Sequence, residues 1–129
     1  MAKIELQGIG QIHITIEDLP RTVAFYRDVL GLELLFEVPQ QSMAFFDCGG
    51  VRLYFGTNEG LDQPSSPVIY YRVEDITATC EELTGRGVTL DGPAHVVHRT
   101  EAMELWLAFF DDPDGHKVAL MEERSVAPS

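Results

Sequence analysis

The chain has 129 residues, 45% of them hydrophobic and 23% charged, enough for one domain with a sizeable core. Its 21 Asp and Glu against 9 Lys and Arg leave a net charge of −12, which argues against nucleic acid, whose phosphates recruit Lys and Arg. A run of about 18 apolar residues is lacking, and so is a signal-peptide apolar region, so no membrane partner and a cytoplasmic location are expected.

Residues 1 to 8 lead in. Ile12, Ile14 and Ile16 alternate with Gln11, His13 and Thr15, the period-two pattern of a strand with one apolar and one polar face. Asp18 can cap a helix that carries Val23, Tyr26 and Leu30 at helical spacing and closes at Gly31. Strands are expected over Leu34 to Val38, Ser42 to Asp47 and Val51 to Phe55, joined by turns at Pro39-Gln40-Gln41 and Cys48-Gly49-Gly50. A polar linker follows. Strand Val68 to Val73 opens a second unit whose helix starts near Asp75, carries Ile76, Cys80 and Leu83, and ends at Gly85 and Gly87. Strands near Ala94 to His98, Glu104 to Phe110 and Lys117 to Met121 complete it, with Asp112-Pro113-Asp114-Gly115 turning between the last two. Cys48 and Cys80 lie on different elements and are read as reduced thiols.

The two units are copies. At a shift of 57, Ile12 to Asp18 lies over Ile69 to Asp75, and Ala44-Phe45-Phe46-Asp47 recurs as Ala108-Phe109-Phe110-Asp111 at a shift of 64. Each copy reads βαβββ, the first over residues 5–58, the second over 66–123, with 59–65 between them, in a single domain of 1–129.

The run DLPRTVAFYRDVLGLELL, the DDPDG turn before the last strand and the doubled βαβββ order resemble the vicinal-oxygen-chelate superfamily of glyoxalases, bleomycin-resistance proteins and extradiol dioxygenases. The resemblance covers nearly the whole chain. It implies an α+β fold of tandem βαβββ modules forming a cup-shaped, partly open β-barrel with helices outside, and a homodimer. In metal-dependent members four side chains, usually His, Glu or Gln, His and Glu, hold one divalent ion. The matching positions here are Gln11, Tyr54, Val68 and Ala119. Val and Ala offer no lone pair and neutral Tyr is a poor ligand, so neither metal nor cofactor is expected. The neighbours Gly10, Ile12, Leu53, Phe55, Ile69, Val118 and Leu120 add no ligand if the register slips by one.

If Gln11 faces inward, alternation places His13, Arg52, Tyr54, Tyr70, Arg72, Lys117 and Met121 inward too. On the next-to-last strand, Leu105, Leu107 and Phe109 form an apolar row suited to the helix side. That leaves Glu104, Trp106, Ala108 and Phe110 for the cup, with Ser42, Ala44 and Phe46 as their counterparts in the first copy. Together with His95 these give the candidate ligand-binding set Gln11, His13, Arg52, Tyr54, Tyr70, Arg72, His95, Glu104, Trp106, Phe110 and Lys117. Each has a plainer structural alternative: His13 as a core histidine, the cations at a solvated rim, Trp106 as packing, His95 and His98 on a lip, His116 exposed. A regular strand would put His95 and His98 on opposite faces.

The function expected is metal-free binding of a small organic molecule. The charge of −12 favours a cationic guest, whereas Arg52, Arg72 and Lys117 favour an anion. The alternatives are an enzyme, either a glyoxalase-like lyase or isomerase or an acid–base catalyst using His13 with Glu104 or Tyr54, a non-standard metal site from His13, His95 and Glu104, and an interaction module.

Overall fold

The structure is a computed structural model that describes residues 4, 7–57 and 67–126; the linker expected at 59–65 lies outside the described residues. The chain divides into two compact units, Met1–Ser66 and Pro67–Ser129. Each holds one βαβββ module, as the repeat implies.

In the first unit, β1 (Gln11–Thr15) leads into α1 (Leu19–Ala24), which continues as a π-helical turn over Phe25–Val29. Asp18 caps α1 by accepting from the Arg21 N–H at 3.1 Å, and Pro20 stands in the first turn, where its missing N–H is no loss. Gly31, at φ 77, takes the left-handed turn that releases the chain into β2 (Glu33–Val38). β3 (Met43–Cys48) and β4 (Val51–Gly56) complete a mixed sheet of order β1-β4-β3-β2, with β1 parallel to β4.

The second unit repeats this plan. β5 (Ile69–Arg72), α2 (Ile76–Gly85), β6 (His95–Arg99), β7 (Met103–Asp111) and β8 (Lys117–Ser125) form the order β5-β8-β7-β6. Asp75 caps α2 from the Ala78 N–H at 3.0 Å, the counterpart of Asp18. Neither sheet closes on itself, and each carries its helix on one face.

The duplicated Ala-Phe-Phe-Asp run shows which face that is. Phe46 and its register partner Leu53, with Ala44 and Phe55, are at most 1% exposed, and Tyr26 of the helical segment lies 4.5 Å from Phe55 between ring centres. Ala108 and Phe110 are likewise fully buried, beside Leu120 and Val118. The alanines let the helices approach, and the second phenylalanines fill the space beneath them. The first phenylalanines, Phe45 and Phe109, point to the opposite, helix-free face.

That parity corrects the sequence reading at two strands. Ser42, Ala44 and Phe46, and Glu104, Trp106, Ala108 and Phe110, were expected on the inner face; from Ala44 and Phe46, and from the whole β7 row, the residues turn instead to the helix side. Ser42 precedes β3 and takes a left-handed backbone at φ 53. The apolar row Leu105, Leu107 and Phe109 occupies the helix-free face. A polar row fits on the helix side because α2 reaches only part of β7, and its first N–H groups need an acceptor. Glu122, on that face opposite Trp106, accepts from the Ile76 N–H at 2.8 Å.

Candidate functional site

Register arranges the helix-free face of the first sheet in rows across the strands. Gln11, Arg52, Asp47 and Glu33 form a polar row; His13, Tyr54, Phe45 and Phe36 form an aromatic one beside it. Phe36 stacks on Phe45 with ring centres 4.5 Å apart and planes at 23°, and Phe45 stacks on Tyr54 at 4.6 Å and 15°. His13 meets Tyr54 edge-on, at 4.6 Å and 75°. The row is thus continuous over all four strands.

Tyr54 holds its place because Gly56, two residues on and on the same face, has no side chain. A Cβ there would stand 2.7 Å from Tyr54 Cε1. At the β1 end of the row, His13 Nδ1 is buried and meets no hydrogen-bond partner among the described residues. In the polar row, Arg52 reaches Gln11 Oε1 alone among the described residues, at 3.5 Å, too long for a strong bond.

The helix-free face of the second sheet is built differently. Ala119 stands where the first copy has Tyr54, so Phe109 meets Tyr70 across it at 6.2 Å, edge to face. Lys117 pairs with Asp111 at 2.8 Å and with Asp91, and these two carboxylates raise its pKa and neutralise it locally. Arg72 stands largely in solvent, 3.9 Å from Glu123. His95, its Nδ1 3.1 Å from the Pro93 carbonyl, helps line a hollow of about 300 Å³ with Asp91, Gly92, Pro93 and Phe109.

β6 is not regular. Its register slips by one residue at Val97, so His95 lies opposite Leu107 and His98 opposite Leu105, and both histidines share the helix-free face. Glu104 goes to the other face. It accepts from Arg99 Nε at 2.8 Å and from the Trp106 indole N–H at 3.2 Å, while the Arg124 guanidinium lies 4.3 Å from the centre of the Trp106 ring. Arg124 also donates to Glu122, holding that carboxyl below its ordinary range with help from the Ile76 N–H. His116 is partly buried, its N–H donating to the Asp112 carboxylate within the turn.

The structure therefore brings Gln11, His13, Arg52 and Tyr54 onto one face of the first sheet, and Tyr70, Arg72, His95 and Lys117 onto one face of the second. Glu104, Trp106 and Phe110 fall on the α2 side. A site joining His95 to Glu104 is ruled out by the sheet between them. Phe36, Phe45 and Gly56 were missed. The repeated Phe-Phe pair marked the place, but two adjacent phenylalanines do not reveal which one turns inward.

The metal-ligand positions do not fit a divalent ion. Gln11 Oε1 faces the Arg52 cation, Tyr54 is stacked, Val68 is apolar and 48% exposed, and Ala119 is fully buried. Among the described residues no group of three or more His, Cys, Asp or Glu could hold a metal.

The model of the Glyoxalase/Bleomycin resistance protein/Dioxygenase superfamily matches residues 8–120. The chain belongs to that superfamily. This superfamily member is 32% identical over 125 residues to a lactoylglutathione lyase of Haemophilus influenzae, covering 88% of this chain and 90% of the relative. It is 29% identical to the metallothiol transferase FosB of Staphylococcus saprophyticus, over 89% of this chain and 76% of that protein. Among solved structures, the lactoylglutathione lyase of Agrobacterium tumefaciens superposes with a TM-score of 0.76 at 20% identity, covering 92% of this chain and 95% of that one. TnmS3, an antibiotic binding protein from a Streptomyces species, superposes with a TM-score of 0.74 at 23% identity, over 95% and 100%. The superfamily member thus shares the α+β fold that the family resemblance implies.

Proposed function

We propose that this chain binds a small organic molecule without a metal, on the helix-free face of its first sheet. The observation that carries the reading is the continuous Phe36-Phe45-Tyr54-His13 row, with Gln11 and Arg52 in the row beside it. Small-molecule sites are usually concave and mostly apolar with a few oriented polar groups, and the two rows supply side chains of both kinds. That a structural neighbour, TnmS3, is described as antibiotic binding is in keeping with it. The site is proposed to comprise Gln11, His13, Arg52 and Tyr54 with Phe36 and Phe45; Tyr70, Arg72, His95 and Lys117 are secondary candidates.

The test is a thermal-shift screen of the whole protein against bleomycin-type drugs, glutathione adducts and small carboxylates, each hit mapped by amide NMR. A guest at a hundred times its Kd adds about 2.7 kcal/mol to the folded state, which moves a midpoint by several degrees. At least one hit should perturb β1 and β4 amides. No shift across the panel, or hits confined to the second sheet, would overturn the reading.

A second reading is acid–base turnover. His13 in ring contact with Tyr54 supplies a titratable group beside the guest, and the lyase relative makes turnover worth measuring. Loss of turnover in His13→Ala with unchanged folding is expected on this reading; unchanged turnover removes it.

A further inference from the structure

Resting on the proposed binding face, we infer that its guest is an aromatic carboxylate, with the carboxylate at Arg52 and Gln11 and the ring over Tyr54 and His13. Three observations on the first sheet lead there.

The aromatic row presents edges, not faces. Parallel rings with centres 4.5 and 4.6 Å apart cover one another's faces, so Phe45, only 7% exposed, and Tyr54 offer rims and not faces to anything laid on the row. Ring rims carry the positive end of the quadrupole and receive the π face of another ring edge-to-face, whereas a cation needs a ring face. The row therefore suits an arene laid across it and offers little to an ammonium group.

Hydrogen-bond donors gather at one end of the neighbouring row. Gln11 flanks Arg52 on β1 and Asp47 flanks it on β3, with Glu33 beyond on β2. An anionic group is therefore received on the Gln11 side of Arg52, away from Asp47. Arg52 is exposed and, among the described residues, keeps its planar fork uncommitted apart from the long contact to Gln11, which is the arrangement that receives a carboxylate bidentately. The net charge of −12 does not prevent this, because charges beyond about 8 Å are screened at physiological salt and a direct contact is not.

The spacing also fits. Same-face residues two apart on a strand stand about 7 Å from one another, so Arg52 and Tyr54 match an acid whose carboxylate is one or two carbons from its ring. Such a ring would lie against His13, the register partner of Tyr54.

The experiment is an NMR titration of the full chain with phenylacetate, phenylacetamide, phenethylamine and cyclohexylacetate, following the Arg52 Nε–H and the His13 ring protons. Phenylacetate should move both and bind about tenfold more tightly than the amide, the difference a charge-assisted bond makes. It should bind more tightly than cyclohexylacetate as well. R52Q should equalise acid and amide, and R52K should fall between, since it keeps the charge and loses the fork. Amide or amine binding as tightly as the acid, or R52Q leaving phenylacetate unaffected, would overturn the inference. So would a guest of another class perturbing this face when phenylacetate does not, though binding there would stand. If no compound in either panel perturbs the face, the binding reading itself fails.

Discussion

Gly56→Ala should damage the aromatic row without touching the core. The new methyl would sit 2.7 Å from Tyr54 Cε1 and 3.1 Å from its Cζ and hydroxyl oxygen, so the ring has to leave its place. Leaving disrupts two aromatic contacts, with Phe45 and with His13, each worth roughly 0.5–1.5 kcal/mol, which gives a loss of about 1–3 kcal/mol. In a Tyr54→Ala background there is no ring to meet. Gly56 has no positive φ, so the same substitution there should be neutral or stabilising by about 0.4–1 kcal/mol through the unfolded state. The two substitutions are therefore coupled by at least about 1 kcal/mol. Native-state hydrogen exchange of the slowest first-sheet amides measures this locally, and His13 ring-proton shifts report whether Tyr54 has moved. Equal costs in both backgrounds, with His13 shifts unchanged, would refute the account of how Tyr54 is held.

Four further outcomes are expected. Phe46→Ala and Phe110→Ala, at fully buried positions, should each cost about 3–5 kcal/mol in denaturant unfolding, far more than Phe36→Ala at a half-exposed one; similar losses at all three would contradict the facing. Glu122 has its pKa lowered by Arg124 and then by the Ile76 N–H, so its contribution is complete above the unfolded value of about 4.3 and disappears as pH falls through the folded one. E122Q should flatten the stability loss below about pH 5 in Trp106 fluorescence, and parallel curves for variant and parent would refute this. Asp112 accepts the Asp114 and His116 N–H groups at 2.9 Å while 5% exposed, so Asp112→Ala should lower stability by about 2 kcal/mol and Asp112→Asn by less. Elemental analysis after incubation with Ni, Zn, Mn or Fe should find no stoichiometric retention, and one ion per chain would refute the reading of the ligand positions.

The repeat was the most legible part of the fold. Two capping aspartates 57 residues apart, Asp18 and Asp75, and the recurring Ala-Phe-Phe-Asp run located two modules whose strand orders are the same. Facing was harder to read, because hydrophobicity cannot separate Phe45 from Phe46 and both are largely buried. The informative residue was the alanine, small where a helix approaches. On β7 hydrophobicity alone assigns the more apolar row to the helix side. It lies opposite, because Glu104 and Trp106 join a polar cluster with Arg99 and Arg124 at the α2 end. The slips at Leu35 and Val97 leave no signal in runs as uniform as Leu34-Leu35-Phe36 and Val96-Val97-His98, and with them went the common face of His95 and His98. Gln11, His13, Arg52 and Tyr54 were readable together because β1 and β4 are regular and parallel.

Those slips bear on behaviour at high concentration. β2 and β6 end their respective sheets, where an unbroken ladder of amides would be a template for strands of other molecules. Leu35 and Val97, 44% and 47% exposed, are the supernumerary residues that interrupt the ladder in each copy, so an incoming strand could not stay in step past them. Deleting either residue would straighten its margin, and fibril growth is the hazard that such a shortened chain would run.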